Sequence, residues 1–245
     1  MPTDARTPWL TRIRSGLGNG WPNHCAACRA STRGPAARVC RDCLERFAPV
    51  VPRCGRCALQ LPQGVAVCGA CLRAPPPWSG AVAACDYRYP WDGLLSALKF
   101  RDALDLAAPL AQRLAQALQA CPTPPVDVLL PVPLAAARLR ERGYNQAALL
   151  AAQLARRRAV RVEPGWLLRL ADTPRQTALP RDRRVANMRG AFAVEPLALP
   201  VLRDRHVALV DDVMTTGATA GEITRVLLAG GAASVQVWVV ARTPP

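Results

Sequence analysis

His206-Val-Ala-Leu-Val-Asp-Asp-Val-Met-Thr-Thr-Gly-Ala-Thr219 decides how the larger half of this chain is read. Val207–Val210 is wholly apolar, as in a strand buried on both faces. It ends in two adjacent carboxylates, Asp211 and Asp212. A polar turn rich in Thr and Gly follows and opens a helix that reaches Leu228. The N–H groups of such a turn, the hydroxyls of Thr215, Thr216 and Thr219 and the positive end of the helix form a cradle for an anion. Gly217 permits close backbone approach or a positive φ. For an isolated Asp-Asp pair, the simpler reading is two solvated acids at a strand end with Thr capping the helix. The complete pattern Val207–Thr219 favours a binding loop.

Working outward, strands and helices alternate. Ala81–Tyr89 reads as a strand. Trp91–Phe100 and Leu104–Ala120 read as helices, the second with Leu106, Leu110, Leu114 and Leu118 on one stripe. Val126–Leu130 is a short run, apolar but for Asp127, that stops at Pro131, Asn145–Arg158 an Ala/Leu-rich helix, and Val235–Val240 a last strand. Buried strands alternating with helices predict an α/β fold with a parallel sheet, and ligands of such sheets sit beyond the carboxyl ends of the strands. That rule selects a second loop, Pro131–Gln146. There Arg138, Arg140 and Arg142 stand against Glu141, and guanidinium groups suit bidentate contact with phosphate. A third basic stretch, Asp172–Gly190, carries Arg175, Arg181, Arg183, Arg184 and Arg189 between proline breaks. The breaks at Pro174 and Pro180 suggest a mobile loop.

The N-terminal part follows different rules. Eight of the 10 Cys form four C-x-x-C pairs: Cys25/Cys28, Cys40/Cys43, Cys54/Cys57 and Cys68/Cys71. A C-x-x-C turn aims two thiolates at one ion, and two such pairs complete a tetrahedral shell of sulfurs for Zn2+. Zinc would also supply folding energy to a segment with few large apolar side chains. The expectation is one or two structural zinc ions. Sequential pairing is the simplest arrangement; an interleaved cross-brace and a disulfide framework are the alternatives. His24 reads as a bystander, and Cys85 and Cys121 as ordinary buried thiols. The expected organisation is an N-terminal extension at 1–24, a zinc-binding module of the four-cysteine type at 25–73, a Pro-rich linker at 74–80 and an α/β domain at 81–245.

Composition narrows the function. The chain of 245 residues is 51% apolar and 5% aromatic, with a net charge of +15. No stretch of 18 apolar residues is free of charge, which argues against membrane insertion. The N-terminus lacks a signal-peptide pattern, so the expected compartment is the cytoplasm, where thiols stay reduced. Of the 32 basic residues only Lys99 is a lysine, a bias that weakens charge as a sign of nucleic-acid binding. Acids beside a phosphate cradle would repel phosphate itself, so they should meet hydroxyls or a metal. A ribose 5-phosphate satisfies both groups.

Val207–Thr219 resembles the phosphoribosyl-diphosphate (PRPP) fingerprint of type I phosphoribosyltransferases. The resemblance implies that Asp211 and Asp212 hold the ribose 2- and 3-hydroxyls. It also implies that Val213, Met214, Thr215, Thr216, Gly217, Ala218 and Thr219 wrap the 5-phosphate, and that Mg2+ bridges diphosphate and ribose oxygens. Arg138 and Arg142 would stabilise the departing diphosphate, and Gln176 and Arg184 would reach the substrate from the third loop. Enzymes of this class for 6-oxopurines commonly carry a third acid where this chain has Thr215, which argues against hypoxanthine or guanine as acceptor. Together with the C-x-x-C array and the Pro75-Pro-Pro-Trp78 linker, these motifs resemble the ComF/GntX family over about residues 25–243. Lys99-Phe100 and the Arg138–Gln146 stretch are also typical of it. The family implies a zinc module before a phosphoribosyltransferase-like domain, a role in DNA uptake during competence, and partners among single-stranded DNA and competence-machinery proteins. Three functions are compatible with this reading: PRPP-dependent transfer to an unknown acceptor, handling of single-stranded DNA, and PRPP sensing without turnover.

Overall fold

The computed structural model describes residues 23–32, 38–121, 123–170 and 190–244. The cysteine region consists of two similar knuckles. In the first, strands β1 (Asn23–His24) and β2 (Ser31–Thr32) pair antiparallel and lead to helix α1 (Arg41–Phe47). In the second, an isolated bridge joins Arg53 to Gln60, and helix α2 spans Gly69–Arg73. Each knuckle turns through a residue at positive φ four places after its first Cys, Arg29 and Ala58. The turns are closed by Cys25 N–H to Ala30 O and Cys54 N–H to Leu59 O, each at 2.8 Å. The third Cys of each set, Cys40 or Cys68, stands immediately before its helix.

The α/β part contains β3 (Gly80–Asp86), α3 (Trp91–Phe100), α4 (Ala107–Ala120), β4 (Val128–Pro131), α5 (Ala136–Arg142), α6 (Gln146–Arg158) and β5 (Arg161–Val162). The hairpin β6 (Leu167–Arg169) and β7 (Phe192–Val194) comes next, then α7 (Leu199–Leu202), β8 (His206–Met214), α8 (Ala218–Ala229) and β9 (Ser234–Arg242). Five strands form one wholly parallel sheet in the order β3-β9-β8-β4-β5, with β8 at its centre. This is the expected fold class. Strand alternation divides the core between two faces. Val82, Leu129, Val210 and Val240 face α3, α4 and α6; Ala83, Leu130, Leu209 and Val239 face α8 and the hairpin side. The predicted stripe Leu106, Leu110, Leu114 and Leu118 is buried throughout, each side chain worth about 1.5–3 kcal/mol. Asn145 caps α6, its side chain accepting from Ala147 N–H at 2.9 Å while its amide donates to Val132 O at 3.0 Å. No helix among the described residues is long and apolar enough to cross a membrane.

Three local expectations are corrected. The strand expected to stop at Val210 continues through Asp211, Asp212 and Val213 to Met214, because β9 offers ladder partners to Arg242. Residues 136–142 of the expected Arg-rich loop are helical and end at Gly143, whose φ of 77° makes it a left-handed cap. Cys85 is buried as expected, but Cys121 is exposed, because it lies just past the end of α4.

Candidate functional site

The site is built at the carboxyl end of β8. Asp211 and Asp212 are adjacent there and take different neighbours, Asp211 the loop that follows and Asp212 the helices α3 and α6. Asp211 lines a cavity of about 40 Å3 with residues 213–220. Burial and the neighbouring Asp212 push the Asp211 carboxyl well above the usual carboxylate range, against the pull of Lys99. Its Oδ1 also accepts from Asp212 N–H at 2.8 Å.

Asp212 turns toward α3 and α6 and is 3% exposed. Its Oδ2 forms an ion pair with Lys99, at the end of α3. Gln146, first residue of α6, donates from Nε2 to Asp212 Oδ1 at 3.4 Å, and its own Oε1 accepts from Arg142. Burial works against the Lys99 charge, yet the Asp212 carboxylate outweighs it and raises the lysine above its ordinary range. Arg142 lies over the Phe100 ring at 5.1 Å from its centroid. The chain Arg142–Gln146–Asp212–Lys99 therefore links three parts of the sequence that are far apart: the end of α3, the junction of α5 and α6, and the end of β8. Arg138 precedes Arg142 by one turn on the same face of α5; both are half-buried while Arg140 is exposed. His206 sits at the opposite end of β8, against Ser234 Oγ at 2.8 Å, and takes no part.

Beyond β8, Thr216 Oγ1 accepts from Ala218 N–H at 3.3 Å, and Gly217 precedes α8 at φ 82°. The next first-turn N–H groups of α8, those of Thr219 and Ala220, have no intrahelical carbonyl within reach, so they are available to an anion. Gly217 is required twice over: its φ is unfavourable for other residues, and a Cβ there would come within 2.8 Å of the Trp78 ring. Gln176 and Arg184 lie outside the described residues.

Trp78 ties this loop to the second knuckle, donating from Nε1 to Arg56 O. Arg242 makes a second tie, from Nε to Cys57 O at 2.9 Å and from Nη1 to Met214 O at 3.0 Å and to Thr215 O. Neither role was visible in the sequence. Lys99 and Gln146 were named there only as family-typical positions. The one available signal was that Lys99 is the sole lysine in a chain that uses Arg for every other basic side chain.

The thiols form two sets, Cys25/Cys28/Cys40/Cys43 and Cys54/Cys57/Cys68/Cys71, each with its sulfurs within 4.8 Å of one another. The pairing is sequential, and His24 is in neither set; its Nδ1 faces Arg29 O. Sγ separations are 3.7 Å for Cys28–Cys40 and 3.6 Å for Cys57–Cys68. A tetrahedron with Zn–S near 2.3 Å has edges of about 3.8 Å, so either set could hold zinc. Backbone N–H groups already support the sulfurs, as in Cys40 N–H to Cys25 Sγ and Cys68 N–H to Cys54 Sγ, both 3.3 Å. Burial alone would raise the Cys25 and Cys54 thiols, but such contacts bring them down to about 6 and about 7.

No family model matches the chain. Among solved structures, it is similar to a glutamine PRPP amidotransferase from B. subtilis complexed with ADP and GMP, at 20% identity and a TM-score of 0.40 over 60% of this chain and 30% of that one. Its curated relatives match almost end to end. DNA utilization protein YhgH of Salmonella typhi is 36% identical, over 91% of this chain and 98% of the relative. Competence protein F of Haemophilus influenzae is 34% identical, over 89% and 96%. With its two four-cysteine knuckles and a parallel sheet ending in paired acids and a Thr/Gly loop, the chain belongs to the ComF/GntX family of these two proteins.

Proposed function

We propose that this protein binds PRPP with Mg2+ and transfers the phosphoribosyl group to an acceptor, in the cytoplasm, with a structural zinc ion in each set of four cysteines. The carrying observation is the Asp211-Asp212 pair at the end of the central strand, followed directly by the anion loop. In this reading the α8 N-terminus and the Thr215, Thr216 and Thr219 hydroxyls receive the 5-phosphate. Asp211, facing that cavity, accepts from a ribose hydroxyl and offers a hard oxygen for Mg2+. Asp212 is held by Lys99 and Gln146 and completes the ribose contact. Arg138 and Arg142 receive the diphosphate and stabilise the charge that develops as it departs. Gln176 and Arg184 would contact the acceptor. The bound cation would neutralise diphosphate charge.

Calorimetry with PRPP and Mg2+ tests the site. Hydrogen bonds to charged groups contribute about 1.5–3 kcal/mol, so Asp211→Asn/Asp212→Asn should weaken binding by at least about tenfold. Undiminished binding would reject the assignment. Diphosphate release across a panel of bases then separates a transferase from a PRPP-sensing regulator.

A second reading, single-stranded DNA binding, is supported by two exposed rings: Phe100, 69% exposed under Arg142, and Tyr89, 64% exposed beside the first knuckle. Such rings stack bases at about 1–3 kcal/mol each. The relatives' names, DNA utilization protein and competence protein, point the same way. Affinity for an oligothymidylate strand should then fall steeply with salt and drop with Phe100→Ala. No binding at low salt would exclude this role.

A further inference from the structure

A second cavity lies at the edge of the sheet, away from the anion loop. It measures about 410 Å3 and is enclosed by three walls. Pro49–Gly55, the segment joining the two knuckles, forms one wall; Ala81–Ala84 of β3 forms the second, and α4 the third, through Arg113 and Ala117. None of the loop residues 211–219 takes part. The volume is in the range of small-molecule sites, about 300–1,000 Å3.

The feature that calls for a ligand is Arg113. It is only 6% exposed, and its one hydrogen bond among the described residues runs from Nη2 to Ala48 O at 2.8 Å. Among those residues no carboxylate lies within ion-pair distance of it. A guanidinium has five N–H donors, so most of them are left to the cavity. Its titratable neighbours are the Cys85 thiol, which burial pushes up to about 12 and so keeps neutral, and a second cation, Arg53, which lines the same cavity. Arg53 is already neutralised by Asp86, at 2.7 Å, and also donates to Ala58 O. One uncompensated positive charge therefore faces the cavity. Burying a charge without a partner costs several kcal/mol, and an anion in the cavity would offset that cost. Apart from Gln63, the rest of the lining is mainly apolar: Pro49, Val50, Val51 and Pro52 on one side, Ala83 and Ala117 on the others.

We propose that this cavity binds a small organic monocarboxylate, its carboxylate paired with Arg113 and its apolar body against the Pro49–Pro52 segment and β3. One net positive charge matches one carboxylate; a phosphate monoester would bring a second negative charge that nothing in the cavity neutralises. The guanidinium presents parallel N–H groups to the two carboxylate oxygens.

The test uses the full chain with its metal, titrated calorimetrically with hexanoate, 1-hexanol and hexyl phosphate. Hexanoate should bind saturably, and hexanol at least tenfold more weakly. Arg113→Met should abolish hexanoate binding while melting no lower than the wild type, because it removes a buried charge and keeps the bulk. Ala117→Phe, which fills the cavity and retains Arg113, should abolish binding as well. PRPP binding should be unchanged in both variants. The proposal is overturned if no hexanoate binding is detected, if Arg113→Met or Ala117→Phe binds it as the wild type does, or if hexyl phosphate binds more tightly. It is also overturned if Arg113→Met melts well below the wild type, which would make Arg113 a structural tie to Ala48.

Discussion

Chelating the metal, or replacing Cys54 by Ser, should collapse the second knuckle and remove PRPP binding with it. Structural zinc contributes about 10–16 kcal/mol of apparent binding energy in small zinc-dependent modules, and here it would substitute for a core that the knuckle lacks. Among its buried residues, this knuckle contributes Cys54, Ala58 and Cys71 but no large apolar side chain. What it does provide is a set of backbone carbonyls: Gly55 O for Ala81 N–H at 3.0 Å, Arg56 O for Trp78 and Cys57 O for Arg242. Trp78 supports Gly217, and Arg242 holds the carbonyls of Met214 and Thr215. Loss of the ion should therefore propagate to the anion loop, although no Cys lies in it. Cys28→Ser should behave differently, since the first knuckle docks on Tyr89 and Trp91 instead. It should lower the melting temperature and leave PRPP affinity within a few fold. Metal analysis should give two equivalents of zinc in the wild type. A chelated, metal-free protein that melts unchanged and binds PRPP as before would refute both the ion and the coupling.

Replacing Lys99 by Met should be the most damaging single change in the α/β part. Asp212 Oδ2 has one partner among the described residues, the Lys99 ammonium, which donates to it. Removing one member of a buried pair costs about 3–5 kcal/mol, because the other charge stays behind. Lys99 keeps 22% of its side chain exposed, so the lower end of that range is expected. Denaturant titration measures the loss. The double variant Lys99→Met/Asp212→Leu should recover most of the stability, since no buried charge is left unpaired, but it should not recover PRPP binding. Recovery of both would show that the pair only holds the fold together. Equal instability of the single and double variants would show that the cost is one of packing and not of charge.

Local patterns were a good guide to local structure. Helix α3 coincides with the expected Trp91–Phe100, and the Leu106–Leu118 stripe lies wholly in the core. Both follow from side-chain periodicity within a few turns. The departures have identifiable causes. Asp211–Met214 read as a turn because carboxylates and a Thr-Thr-Gly run follow them, yet β9 is long enough to carry the ladder to Arg242. The helix at 136–142 was hidden by its basic composition, although Gly143 is the stop signal that a C-terminal cap requires.

The sequence alone determined the classes of parts: alternating strands and helices, four C-x-x-C pairs, an acid pair before a Thr/Gly loop, and Arg residues near a neighbouring strand's end. Each is a short-range pattern, set by the periods of helix and strand or by the reach of a tight turn. Tertiary structure decided which parts meet. It paired the cysteines sequentially, gave Asp211 to the anion-loop cavity and Asp212 to Lys99, brought Lys99 there from a distant part of the chain, and left Arg113 facing a cavity without an acid in its lining. These outcomes depend on sheet order and on packing between segments distant in the chain. Contacts of that kind leave no periodic trace at either of the residues that make them.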